Sequence, residues 1–508
     1  MVKVMNNTSD SNQNRITTGV EGLDEILKGG LPRDRIYLLE GNPGTGKTTL
    51  ALQFLLEGLR CGEKCLYVTL SETREELREV AESHGWSLDG ITLYDLSLPE
   101  GDATVDSQYT LFHPSEVELA ETTRAVFSEV ERVKPQRVVF DSLSEMRLLA
   151  RDPLRYRRQI LALKQFFAGR QCTVLLLDDH TSETSDRQLE SLAHGVIMLD
   201  HNSPGYGGPR RRLRVLKLRG VKYRGGYHDL NIETGGIIVY PRLIAADHRP
   251  EFTPEKLSSN LPELDQLTGG GIDAGTGTLI MGPAGSGKST LAAQYAHVAA
   301  QQGKSVVIYS FEESPVLLLA RTAALGVDLA THVKSGRVMI RQMDPAELSP
   351  GEFAYMVCHA VERDGVGVVI IDSLNGYYQA MPEEHFLTSH VREMLAFLNQ
   401  QGVVTLLVMA QHGLIGSNMT LPVDVSYLAD MVILLRYFEA EGEIRQAISV
   451  AKKRSGDHER SIREFCVGPV GLQVGRQLRE FRAILSGHPE YTGAAEPLLG
   501  QSNEAAAD

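Results

Sequence analysis

The chain has 508 residues, 42% of them hydrophobic and 23% charged, an ordinary globular composition long enough for more than one core. Its formal charge is −14, from 51 Lys+Arg against 65 Asp+Glu, which argues against a dedicated nucleic-acid coat. No apolar run reaches the ~20 residues needed to span a bilayer, and five scattered cysteines offer neither a disulfide framework nor a zinc quartet, so a reducing cytoplasm is expected.

Residues 1–14 are polar, rich in Asn and Ser, and read as a disordered tail, neither a signal peptide nor an anchor. Arg35 to Glu40 is a short apolar run that reads as a buried strand. It feeds Gly41-Asn42-Pro43-Gly44-Thr45-Gly46-Lys47-Thr48, followed by Thr49. This is a phosphate loop: its backbone N–H groups cradle nucleotide phosphates, its lysine reaches the β/γ-phosphates, and its Thr hydroxyl binds Mg²⁺. Leu52, Leu55, Leu56 and Leu59 then recur at helical spacing until Gly62, placing the phosphates at a helix N-terminus. Tyr67 to Leu70 reads as a second strand, ending at Ser71-Glu72. Ser115 with Glu118 reads as a capping box opening a helix. Arg137-Val138-Val139-Phe140-Asp141 is a strand ending in a carboxylate placed to hold Mg²⁺. Thr173 to Leu177 is another strand, with His180 after it, and Arg210 to Arg219 is the densest basic stretch.

Three prolines and several charges between Pro241 and Pro254 break the pattern, after which it starts again. Glu263 to Gly271 repeats Gly22 to Gly30, and Thr278 to Met281 is the strand before a second loop. That loop is Gly282-Pro283-Ala284-Gly285-Ser286-Gly287-Lys288-Ser289, followed by Thr290 and by Leu291, Tyr295 and Val298 at helical spacing. Tyr67 to Thr73 returns as Ile308 to Ser314, with the pair Glu312-Glu313 where the first half has Ser71-Glu72. Asp141 returns as Asp372, Thr173 to Leu177 as Thr405 to Met409, and His180 as His412. Strands alternating with helices in each half imply an α/β fold with mainly parallel twisted sheets covered on both faces. The expected divisions are residues 15–245 and 246–485, with a flexible tail over 486–508.

Phosphoryl transfer needs charge neutralisation and an oriented nucleophile. Lys47 and Lys288 supply the charge; Thr48, Ser289, Asp141 and Asp372 form the metal set. Glu312 and Glu313, or Glu72 in the first half, are placed to accept a proton from the attacking water. Lys217 and Arg219 alternate on one strand, and Lys452 and Arg454 repeat the spacing, which suits insertion into a neighbouring subunit's nucleotide site. The bland alternative is a solvated basic face.

The tandem loops, Glu312-Glu313, Lys217-Leu218-Arg219-Gly220 and Ile462-Arg463-Glu464-Phe465 resemble the KaiC family of circadian-clock ATPases and autokinases, within the RecA-like P-loop superfamily. The likeness runs over residues 15 to 485. It implies two tandem RecA-like domains, a homohexameric double ring with ATP and Mg²⁺ between subunits, a KaiB-like regulatory partner, and serine/threonine autophosphorylation in the second domain. Ser426 matches the family's phosphorylated serine, whereas Tyr427 stands where the family has threonine; Ser417, Thr420 and Tyr427 are the fallback acceptors. The function expected from this likeness is a slow timing or stress-signalling device. Two other readings compete: a RecA-like recombinase or helicase on DNA, and an assembly scaffold in which nucleotide only joins subunits.

Overall fold

The structure is a computed structural model that describes residues 14–96, 114–150, 152–179, 187–203, 207–248, 252–344, 346–379, 386–411, 426–484 and 490–493. Its contacts divide the chain into two compact units, Met1–Arg242 and Leu243–Asp508.

In the first unit the main strands are β1 (Ile36–Gly41), β2 (Cys65–Thr69), β3 (Ile91–Asp95), β4 (Arg137–Asp141), β5 (Thr173–Asp179), β6 (Gly195–Asn202), β7 (Arg210–Leu218), β8 (His228–Glu233) and β9 (Gly236–Tyr240). They form one sheet in the order β9-β8-β7-β6-β1-β5-β4-β2-β3. β6 through β3 in that order run parallel, whereas β6 to β9 is an antiparallel meander.

The second unit uses β10 (Gly277–Gly282), β11 (Ser305–Ser310), β12 (Val338–Gln342), β13 (Val366–Asp372), β14 (Val404–Ala410), β15 (Met431–Ala440), β16 (Glu443–Lys453), β17 (Ile462–Gly468) and β18 (Gly471–Gln477). Their order, β18-β17-β16-β15-β10-β14-β13-β11-β12, is that of the first sheet strand for strand.

The central strands are apolar because both faces are covered. Every residue of β1, β2 and β4 is buried, and helices pack on each side. Alternate residues feed different cores: Tyr37 and Leu39 join one cluster, Ile36 and Leu38 the other. The second unit divides the same way, Ile280 to one side and Leu279 and Met281 to the other. The α/β fold of tandem RecA-like units expected from the sequence is therefore observed, with the loop strand central in each sheet.

Two local expectations are corrected. The helix Pro114–Val133 begins before Ser115, so Ser115 lies inside it rather than opening it. A true capping box occurs at Thr73, whose hydroxyl accepts from the Glu76 N–H while the Glu76 carboxylate accepts from the Thr73 N–H at 2.7 Å. The strand correspondence also shifts by one residue. Gly41 pairs with Asp179 and Gly282 with Ala410, so Asp179 matches Ala410, and His180 matches Gln411 rather than His412. Both histidines lie outside the described residues.

Candidate functional site

Each loop joins the central strand to a helix, Lys47–Arg60 or Lys288–Gln301. The glycine before each helix adopts a left-handed conformation, φ 100° at Gly46 and 91° at Gly287. A Cβ at Gly46 would come within 2.8 Å of the Ile232 side chain, and one at Gly287 within 2.8 Å of Val467. Both positions therefore exclude other residues twice, by backbone conformation and by space. Gly287→Ala is expected to destabilise the second unit by about 1–3 kcal/mol and to weaken nucleotide binding, read by thermal unfolding with and without ATP.

In the second unit the loop opens on a cleft of about 570 Å³ lined by Lys288, Ser289, Thr290, Glu312, Glu313, Arg321 and Asp372 among others. Lys288 donates to the Pro283 carbonyl at 2.7 Å. Burial pushes its pKa down, while Asp372 and Glu312 pull it back up. Burial pushes the Asp372 carboxyl up, opposed by a hydrogen bond from Ser289 and reinforced by nearby Glu312. Ser289 and Asp372 thus meet at one point, a hydroxyl and a carboxylate suited to a hard divalent cation. Among the described residues no group of three or more His, Cys, Asp and Glu could hold a metal ion alone. The set fits Mg²⁺ carried in on phosphate oxygens.

The pair Glu312-Glu313 divides its work. Arg321 holds Glu313 in a two-pronged ion pair, Nη2–Oε2 2.7 Å and Nε–Oε1 3.0 Å, and also donates to Thr290 Oγ1 at 3.1 Å. Glu312 instead accepts from the Ser373 hydroxyl, directly after Asp372, and is electrostatically coupled to Lys288 and Asp372. Of the two carboxylates, Glu312 is the one aimed at the phosphate end of the cleft.

The first unit builds its site differently. Lys47 donates to the carbonyls of Gly41 (2.8 Å) and Asn42 (3.0 Å) and pairs with Asp179 at 2.7 Å. Asp141 accepts from the Tyr67 hydroxyl at 2.5 Å; burial pushes its pKa up, with Tyr67 and Lys47 opposing. Val80 stands where the matching helix would carry an arginine, and Glu72 turns to Thr48 instead. Burial, then the nearby Asp141 charge, pushes Glu72 up to about 7, and its buried Oε2 has no hydrogen-bond partner among the described residues. Ser71 is exposed.

Lys217 and Lys452 lie on β7 and β16, Arg219 and Arg454 directly follow those strands, and all four reach main-chain carbonyls within their own units. Lys217 donates to Glu190 O and Arg219 to Ser191 O (2.6 Å); Lys452 donates to Ser426 O (3.0 Å) and Ala429 O (2.7 Å), and Arg454 to Tyr427 O (3.0 Å). Glu190-Ser191, in the helix Arg187–Leu192, and the turn at Ser426-Tyr427 are thus each held by a Lys-x-Arg pair. Tyr427 is exposed, with the Arg392 guanidinium 5.5 Å from its ring centre. Ser417 and Thr420 lie outside the described residues. Asp179, Tyr67, Arg321 and Ser373 join the sites unannounced by the sequence reading. Asp179 carried the signal that marked Asp141, a carboxylate closing an apolar strand.

The family model "ATPase: KaiC" matches residues 16–244 and again 257–479. The circadian clock protein KaiC3 of Synechocystis sp. is 26% identical over 492 residues, 95% of this chain and 96% of that protein. The circadian clock oscillator protein KaiC of Thermostichus vulcanus is 27% identical over 487 residues, 95% of this chain and 93% of its own. KaiC of Synechococcus elongatus is 26% identical over 501 residues, 96% and 94% respectively. No described helix is long and apolar enough to cross a membrane.

Proposed function

Because the chain belongs to the KaiC family of ATPases, we propose that both units bind ATP with Mg²⁺ and hydrolyse it, and that the second unit also phosphorylates its own chain at Ser426. The observation that supports this reading best is the cluster of Lys288, Ser289, Asp372 and Glu312 around one cleft. Lysine and metal neutralise the phosphates; Mg²⁺, when bound, polarises the γ-phosphoryl group. Glu312 takes the proton of the attacking water as its oxygen bonds phosphorus and ADP departs. For self-phosphorylation the serine hydroxyl replaces water in the same displacement. In the first unit Glu72 is the proton acceptor, since Arg321 has no counterpart there and the carboxylate turns inward.

The arrangement works as a homohexamer in the cytoplasm, with Lys217/Arg219 and Lys452/Arg454 serving a neighbour's nucleotide, a KaiB-like protein reading the state, and a role in timing or stress signalling. These cations already grip the helix that carries Glu190 and the turn that carries Ser426, so nucleotide at the interface would be coupled to that turn. The test is peptide mapping after incubation with ATP and Mg²⁺. Gain of one phosphoryl group within residues 415–430 is expected, and an unmodified chain after prolonged incubation removes the kinase half of the proposal. Lys47→Ala is expected to shift the assembly to smaller species on size exclusion in ATP; an unaltered elution volume contradicts a structural role for the first site. Turnover that rises steeply with single-stranded DNA would instead favour the recombinase reading, which the net charge of −14 disfavours.

A further inference from the structure

The two loop lysines are held unequally, and the difference traces to one strand position. β5 and β14 flank their loop strands in the same register, with Asp179 opposite Gly41 and Ala410 opposite Gly282. The main chain is fixed identically at both: the Asp179 N–H donates to Ser144 Oγ at 2.9 Å, the Ala410 N–H to Asn375 Oδ1 at 2.7 Å. Only the first unit puts a charge there. The Lys47 ammonium has three donors, and the carbonyls of Gly41 and Asn42 together with the Asp179 carboxylate occupy all three. Among the described residues Lys288 makes a single such bond, to the Pro283 carbonyl.

We propose that Asp179 is a latch on the first nucleotide site: it holds the Lys47 ammonium back against the loop, so that an entering phosphate must break a lysine–carboxylate pair that has no counterpart at Lys288 among the described residues. The pair is partly buried, Lys47 10% and Asp179 30% exposed, so water screens it incompletely. A β- or γ-phosphate arriving at Lys47 also brings negative charge beside Asp179 and Asp141, already close enough to influence one another. The first site therefore binds nucleotide more weakly than its loop alone would allow, and exchanges it faster. Asp179 acts through Lys47 and is a positioning residue. The inference rests on reading both loops as nucleotide sites.

The experiment uses the full chain with Lys288→Ala to silence the second site, and titrates ADP with Mg²⁺ by calorimetry. Asp179→Asn, which keeps the shape and removes the charge, is expected to tighten binding about tenfold, or about 1.4 kcal/mol. The gain should shrink as salt rises, a signature that a merely structural loss would not give. Unchanged or weaker binding by a folded D179N overturns the latch. Should D179N fail to fold, the reciprocal variant decides: with Lys47→Ala silencing the first site, Ala410→Asp is expected to weaken the second about tenfold, and no change overturns the proposal. A Lys288→Ala parent that takes up no nucleotide overturns the nucleotide-site reading itself, and the latch with it.

Discussion

Glu312→Gln is expected to lower ATP turnover by the second unit at least 100-fold, whereas Glu313→Gln leaves it within a few-fold of the parent. A positioned general base contributes about 10²–10⁴ in rate, and Glu312 is the one of the pair that accepts from Ser373 and acts on Lys288, although both glutamates lie close enough to raise Asp372. Glu313 spends its charge on Arg321, in a pair whose partners are 32% and 27% exposed, so its removal costs about 1 kcal/mol or less. Phosphate release by each variant in a Glu72→Gln chain, which silences first-unit turnover while leaving Lys47 in place, measures the ratio. Equal losses in the two variants would mean that the glutamates act as a pair. Negligible loss in both would leave nucleotide as a subunit adhesive.

The first unit should show a different dependence on pH. With Lys288→Ala silencing the second unit, turnover is expected to climb about tenfold per pH unit on the acid side and level off above about 7, where burial has placed Glu72. Glu72→Gln should abolish both the rate and the profile. Stability gives an independent reading of the same group. A carboxyl whose pKa is raised on folding favours the native state below its unfolded value, near 4.5, and that contribution is lost as pH rises through 7. Glu72→Gln, neutral at every pH, should therefore unfold at a higher temperature than its parent at pH 8, with the gap closing by pH 4.5. A profile flat from pH 6 to 8 would remove Glu72 from the reaction.

Much of this was legible in the chain itself, because phosphate loops are local. Glycines, lysine and hydroxyl occupy neighbouring positions, and apolar strands end in Asp141 and Asp372, the carboxylates beside the two loop lysines. The duplicated strand order followed from the repeat. What was hidden depends on side chains distant in sequence. Glu312 and Glu313 are indistinguishable as neighbours, and only Arg321, two helical turns further on, separates them. Tyr67 is one more buried strand aromatic until β2 is laid beside β4, which brings its hydroxyl to Asp141. Apolar strands align with equal ease in adjacent registers, so matching Thr173 to Thr405 missed the pairing that sets Asp179 against Ala410. In the observed register a carboxylate that pairs with Lys47 stands where the second unit has an alanine.

The most direct test is calorimetric titration of the full chain with ATP and Mg²⁺, repeated for Lys47→Ala and for Lys288→Ala. The structure predicts two sites per chain in the parent and one in each variant. Saturation at one site that survives both substitutions, or no saturable binding in the parent, would contradict it.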